Sequence, residues 1–249
     1  MKKQMHIAAQ YLAAAGISFL DKKEDDSHTN LGFNTETGCL ETHFLSENKD
    51  QLLLSYKDFS LLWKSNTDST SFKLDGMSHK EIMKWLNEIS HTFLNKTYTY
   101  KLHYDLPYGI DNSFMFKLNN PSKLKDLMHL RMLTQLSLEK IIENHHLNSD
   151  IRVWPHHFDT GIYAQIPDSN ISVGLGLAIP DSVCDEHYLY ASGYNASGQL
   201  LDVSNFGKLN NGYWSTQGFN GGVFPASTIV RHEAINFFTE TIHHYKNLK

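Results

Sequence analysis

The chain has 249 residues, 41% of them apolar, and 22 Lys and Arg against 27 Asp and Glu give a formal charge of -5. That balance supports the buried core of one large domain or two small ones and argues against disorder. It also lacks the basic stripe that a nucleic-acid partner requires.

Met1-Lys2-Lys3 and the Ala-rich stretch to Leu20 superficially resemble a secretory signal. Gln4, His6, Gln10 and Tyr11 dilute the apolar region such a signal needs, so an amphipathic first helix ending at Gly16 is expected instead. No later stretch reaches membrane-spanning length, so no membrane partner is expected. Cys39 and Cys184 are too few for a disulfide framework and lack the spacing of a zinc knuckle or redox motif, which points to reduced thiols in a cytoplasm.

Residues 21–30 are charged and polar, a loop. Residues 29–34, 38–45, 51–56 and 59–64 then read as short strands of an antiparallel meander, separated by turn-forming Asn, Gly, Ser and Asp. Ser78 with Glu81 makes a capping box, and Ile82, Trp85, Leu86, Ile89 and Phe93 recur behind it at helical spacing. Residues 97–105 alternate like a strand, which Pro107-Tyr108-Gly109 breaks. Pro121 and Ser122 open a longer helix through about His145, apolar around most of its circumference and therefore sandwiched between layers. Arg131 and Gln135 fall in the middle of its Leu124, Met128, Leu138 and Ile142 face. A guanidinium there needs a carboxylate partner or a route to water.

Strands return at 151–154, 160–165, 171–178 and 188–193. A Gly-, Asn- and Ser-rich stretch over 198–222 reads as a long loop carrying Trp214 and Phe219. The last helix begins near Ser227 and Thr228. Grouped strands between capped helices predict an α+β fold, mostly antiparallel sheet packed with a few amphipathic helices. One globular unit over 1–249 is expected, with two closely packed and similar halves, 1–110 and 111–249, as the alternative.

The densest chemistry lies in Trp154-Pro155-His156-His157-Phe158-Asp159. On an extended backbone His157 and Asp159 share a face and His156 points away, which makes His157 a proton carrier with Asp159 as its orienting acceptor. If Pro155 forces a turn, His156 joins them, and His187 adds a further donor to a nitrogen and oxygen set suited to a divalent metal. The bland alternative is that these groups satisfy backbone atoms near a sheet edge. Trp154, Tyr188, Tyr190 and Trp214, with Arg131, are candidates for the wall of a small-molecule site. His145-His146 and His243-His244 lie at or near helix ends, where the helix dipole accounts for them.

Trp154-Pro155-x-His157-Phe158-Asp159, Gly174-x-Gly176, Pro180-Asp181, Tyr188-x-Tyr190, Trp214, Gly221, Gly222 and Pro225 together resemble a family of uncharacterised bacterial proteins. That family is typified by a Trp/Phe-Pro-x-His-Phe-Asp core and a later Gly-Ala-x-Leu-Pro segment, which here reads Gly222-Val223-Phe224-Pro225. His28 and Gly38-Cys39-Leu40-Glu41-Thr42 extend the likeness over most of the chain. The resemblance singles out His157 and Asp159 and implies no substrate.

The leading expectation is a cytoplasmic small-molecule-binding protein, with its pocket near His157, Asp159, Tyr188 and Tyr190 and with Trp214 on a mobile lid. The alternatives are a non-catalytic interaction or self-association module, and a metal-dependent hydrolase, which needs three converging ligands. Whether the protein is an enzyme, and its oligomeric state, stay open at this stage.

Overall fold

A computed structural model describes residues 1–107 and 109–248, so the Tyr108 step of the predicted break lies outside the described residues. The fold is α+β, with two antiparallel sheets and four α-helices among the described residues. It divides into two compact units, one of residues 1–129 and 153–158, the other of residues 130–152 and 159–249. Among the described residues no helix is long and apolar enough to cross a membrane.

In the first unit, helix α1 (Lys2–Phe19) is buried all round from Met5 to Gly16. Its alanines leave room for close neighbours on every side, so it is a central helix and not the amphipathic one expected. It also runs one turn past Gly16, whose missing Cβ would stand 2.4 Å from the His28 carbonyl oxygen. Gly16 thus permits a close backbone approach and does not end the helix.

Strands β1 (Gly32–Asn34), β2 (Cys39–Glu41), β3 (Gln51–Ser55), β4 (Ser60–Lys64) and β5 (Ser69–Lys73) pair in consecutive order. The first four fall within the short strands expected between turn-forming residues. β5 escapes a hydrophobic pattern because it is an edge strand, Ser-Thr-Ser-Phe-Lys, with no fully buried position. Leu40, Leu52, Leu54, Leu61 and Trp63 are buried on this sheet, and the Phe19 ring meets Trp63 edge-on at 6.3 Å.

Helix α2 (His79–Leu94) begins as the capping box requires: Glu81 N–H donates to Ser78 Oγ at 3.3 Å and Ser78 N–H to Glu81 Oε2 at 2.8 Å. Ser78→Ala should lower stability by about 1 kcal/mol, read as a reduced urea midpoint at unchanged slope. An unchanged midpoint would mean the box contributes nothing.

Residues 97–105, expected as a strand, form none. The segment is fastened by side chains instead: Tyr98 Oη donates to Tyr11 O at 3.0 Å, Thr99 N–H to Ser18 Oγ at 3.0 Å, and Tyr104 Oη to Gln10 Oε1 at 2.6 Å. Partners on α1 take the place of a ladder, so alternation alone misreads the segment.

Helix α3 (Pro121–His145) matches its predicted bounds, and its later turns bury Leu138 and Ile141 in the core of the second unit. The second sheet has β6 (Arg152–Trp154), β7 (Asp159–Gln165), β8 (Ser172–Ala178), β9 (Tyr188–Tyr194), β10 (Tyr213–Ser215) and β11 (Gly221–Pro225), in the order β10-β11-β9-β8-β7-β6. The stretch expected as one long loop therefore holds a hairpin, with Trp214 opposite Gly222. A three-residue strand facing one that opens on Gly221 and Gly222 is too short to show as a hydrophobic pattern.

Helix α4 (Arg231–Lys246) starts later than Ser227, whose N–H is held by Glu186 Oε2 at 2.9 Å. Glu233 accepts the Val230 N–H at 3.1 Å and so caps the true start. Phe237, Phe238 and Tyr245 of α4 are buried against Leu175, Leu189 and Ala191. Pleat alternation then sorts the sheet: Leu189 and Ala191 face the helices, and Tyr188, Tyr190 and Ser192 face the other way.

Candidate functional site

The Trp-Pro-His-His segment is a turn. Phe158 N–H donates to Trp154 O at 2.6 Å, and Phe158 adopts φ 59°, an uncommon conformation for an aromatic residue. Two side chains of α1 converge on the Pro155 carbonyl, His6 Nε2 at 2.8 Å and Gln10 Nε2 at 2.8 Å. The buried Phe158 ring lies parallel to His6, centroids 5.0 Å apart at 6°. With the backbone turned, the face-sharing expected of His157 and Asp159 on an extended chain does not apply. It is His156 and His157 that come together, at 4.2 Å between ring centroids.

Asp159 opens β7 in the second unit, and its Oδ2 accepts the Tyr190 phenol at 2.9 Å. Burial and that carboxylate hold the Tyr190 phenol protonated far above its ordinary range. Asp159 is engaged by a tyrosine in this way.

His156 has gathered other company. It is half-buried, with the Tyr104 ring at 5.5 Å and the Trp154 ring at 6.1 Å. Burial, then the neighbouring His157 and His103, lower its pKa, against the opposing pull of Asp26. The Tyr104 ring stands edge-on to His103 at 5.0 Å, and His103 Nε2 lies 3.1 Å from Asp26 Oδ2. His28 stacks on His103 at 6.5 Å, and its Nδ1 accepts the Lys23 N–H at 3.3 Å, which places the proton of the neutral ring on Nε2. Burial lowers the His28 pKa as well. Asp26 itself sits at φ 56°, in the left-handed region that Asp and Asn enter more readily than most side chains.

The first unit thus brings four imidazoles, a carboxylate and a phenol into one cluster: His28, His103, His156, His157, Asp26 and Tyr104. Sequence reasoning finds His156 and His157 and misses the rest. Asp26 and His28 lie in what reads as a polar loop, and His103 and Tyr104 in what reads as a strand. No spacing rule joins positions so far apart along the chain.

The remaining candidates are scattered. His187 lies in the second unit, just before β9, and its carbonyl accepts the Ala226 N–H at 2.8 Å. Among the described residues no three His, Cys, Asp or Glu side chains converge so as to hold a metal ion, so the set His156, His157, Asp159 and His187 does not form that arrangement. Arg131 is buried and donates to the Thr160 hydroxyl. Tyr188 donates to Asp181 Oδ2 at 2.9 Å.

Trp214 is fastened rather than lid-like: its indole N–H donates to Gly207 O at 2.8 Å, and its ring packs against Phe206, His244 and Tyr245. It pairs with Gly222, where an added Cβ would meet Thr241 and Phe237, so Trp214 is on the helix side of the sheet and Tyr188 and Tyr190 are on the other. The expected aromatic wall is therefore divided by the sheet. Cys39 and Cys184 are both free.

No family model, no curated protein and no solved structure matches this chain.

Proposed function

We propose that the protein binds a small molecule at the histidine cluster of the first unit and exchanges protons with it there. The observation that carries this reading is the His103 Nε2 to Asp26 Oδ2 approach of 3.1 Å. A carboxylate on Nε2 favours the tautomer with its proton there, which leaves Nδ1 of the same ring as a base. The His103 side chain is 38% exposed, enough for a ligand to reach it. Beyond Tyr104, the neutral and half-buried His156 supplies a second acceptor. The role expected of His157 and Asp159 is thus redistributed: His103 is the proton carrier, Asp26 orients it, and His156 and His157 bind. The two free cysteines suit a cytoplasmic setting. Kinship with the bacterial family the chain resembles rests on the sequence Trp154-Pro155-x-His157-Phe158-Asp159.

A metabolite library followed by thermal shift tests the site, because a ligand that binds only the native form raises its melting temperature. Asp26→Asn and His103→Gln should each abolish the shift while leaving the unliganded melting temperature within about 2 °C, as expected for partly exposed groups. A hit whose shift survives both substitutions places binding elsewhere.

Acid should also weaken the fold. The folded-state pKa values of His28, His79 and His156 are lowered, with burial the largest cause for each. As pH falls through about 6.5, the unfolded chain takes up protons before these buried rings do. Stability is therefore full above that value, declines below it, and levels off once the folded rings also charge. His156→Gln should flatten part of the slope, and denaturant unfolding from pH 8 to 5 measures it; an unaltered slope refutes the assignment for His156.

A second reading, self-association, rests on Tyr163, which is 57% exposed on the sheet face away from the helices, with its ring 5.4 Å from Tyr194. Sedimentation of the wild type and of Tyr163→Ser decides it: a monomer in both removes it.

A further inference from the structure

The outer side of α4 and the loop over residues 205–211 border an open groove of 460 Å³ in the second unit, lined in part by Asn205, Phe206, Glu240, His243, His244 and Asn247. A second depression of 370 Å³ shares Glu240 and His243 with it and adds the amides of Asn210 and Asn236. Each lies within the usual size range for small-molecule sites, about 300–1,000 Å³.

The walls are held in place. Glu240 accepts the Asn210 N–H at 3.1 Å and its side-chain amide at 2.8 Å, which ties the loop to the helix. The Trp214 indole fixes the Gly207 carbonyl from behind. His243 meets the His145 ring at 5.9 Å, and His244 stacks on Phe206 at 5.5 Å. The two His pairs expected only to complement helix dipoles thus contact each other, and one of them forms part of a groove.

The lining also restricts the ligand. No Arg or Lys is among the residues that line the groove, and Lys208 of the loop and Lys246 of α4 stand exposed outside that lining, so an anion finds no countercharge in the groove wall itself. The one carboxylate, Glu240, is already engaged by Asn210, which disfavours a cation. What remains is amides and imidazoles, each offering both a donor and an acceptor, beside the apolar Phe206 and Leu248. Hydroxyl groups both donate and accept, and a sugar ring adds C–H faces that suit apolar and aromatic contacts. We infer that this groove is a binding site for a neutral saccharide, separate from the histidine cluster of the first unit.

The test uses the full chain with glucose, N-acetylglucosamine, maltose and cellobiose, each titrated singly while amide, imidazole and indole NMR signals are followed. At least one sugar should move the signals of His243, His244, the Asn205 and Asn247 amides and the Trp214 indole in a saturable way. Asn205 and Asn247 are exposed, so an Asn205→Ala, Asn247→Ala double variant keeps the fold, and it should weaken binding by about tenfold or more for the lost hydrogen bonds. Four sugars that leave these signals unmoved overturn the inference. So does binding that the double variant leaves unchanged, or a response to inorganic phosphate with none to sugar.

Discussion

Truncating His6 to alanine is expected to cost about 3 kcal/mol and to loosen the turn that carries His156 and His157. His6 is 2% exposed, and its ring fills the space against Phe158 while its Nε2 donates to Pro155 O. Removing it leaves a cavity on one side of Phe158, the mechanism behind most large losses on core truncation. The carbonyl of Pro155 would still hold the amide of Gln10. Gln10→Ala alone should therefore cost less, about 1 kcal/mol, because His6 remains as donor. With both changed the carbonyl is orphaned, and the double variant should lose about 1 kcal/mol more than the sum of the singles. Denaturant unfolding of the four proteins gives that cycle, and the His156 and His157 ring signals report whether the turn has moved. Strict additivity with those signals unshifted would show that the turn holds itself.

This pairing explains why the histidine-rich motif looked so reactive. Its proline and phenylalanine are bound to α1, its last residue holds a phenol, and His156 and His157 are left to meet other rings. A motif is contiguous in sequence, whereas the cluster joins positions 26, 28, 103, 104, 156 and 157, which only the packing around α1 brings close. The elements themselves were more legible. Helix α2 could be read because a capping box and a helical stripe agree, and α3 because Pro121 marks its start. Strands β7, β8 and β9 have enough buried apolar positions to show. The edge strand β5 and the hairpin of β10 and β11 do not: β5 sets a single Phe72 among Ser, Thr and Lys, and β10 is three residues long and pairs with a strand that opens on two glycines. The stretch over 97–105 shows the opposite failure, alternation without a ladder, because its partners are side chains of a helix. Burial of α1 on all sides was equally hidden, because His6 and Gln10 read as a polar face and instead bind the Pro155 carbonyl.

Replacing Gly176 by alanine is the second change expected to be severe, costing about 3 kcal/mol or more. A Cβ there would stand 2.1 Å from the Thr160 carbonyl oxygen and 2.6 and 2.7 Å from Oη and Cζ of Tyr190. The first of these is backbone of the adjoining strand β7 and cannot step aside without breaking the pairing of Gly161 with Gly176. At Gly161 the situation differs, because its Cβ would meet Tyr190 Oη at 2.4 Å but Cζ only at 3.6 Å, an ordinary contact. Deleting the hydroxyl should then make room at one glycine and not at the other. Tyr190→Phe forfeits the hydrogen bond to Asp159, an expected loss of about 1–2 kcal/mol, since the acceptor is charged. In its background Gly161→Ala should cost at least 1 kcal/mol less than in the wild type, and Gly176→Ala should stay as damaging as before. Equal rescue at both positions would show that the tyrosine, and not the strand backbone, limits the space over this face of the sheet. No rescue at Gly161 would mean that the Leu175 carbonyl, 3.2 Å from its Cβ, governs there as well.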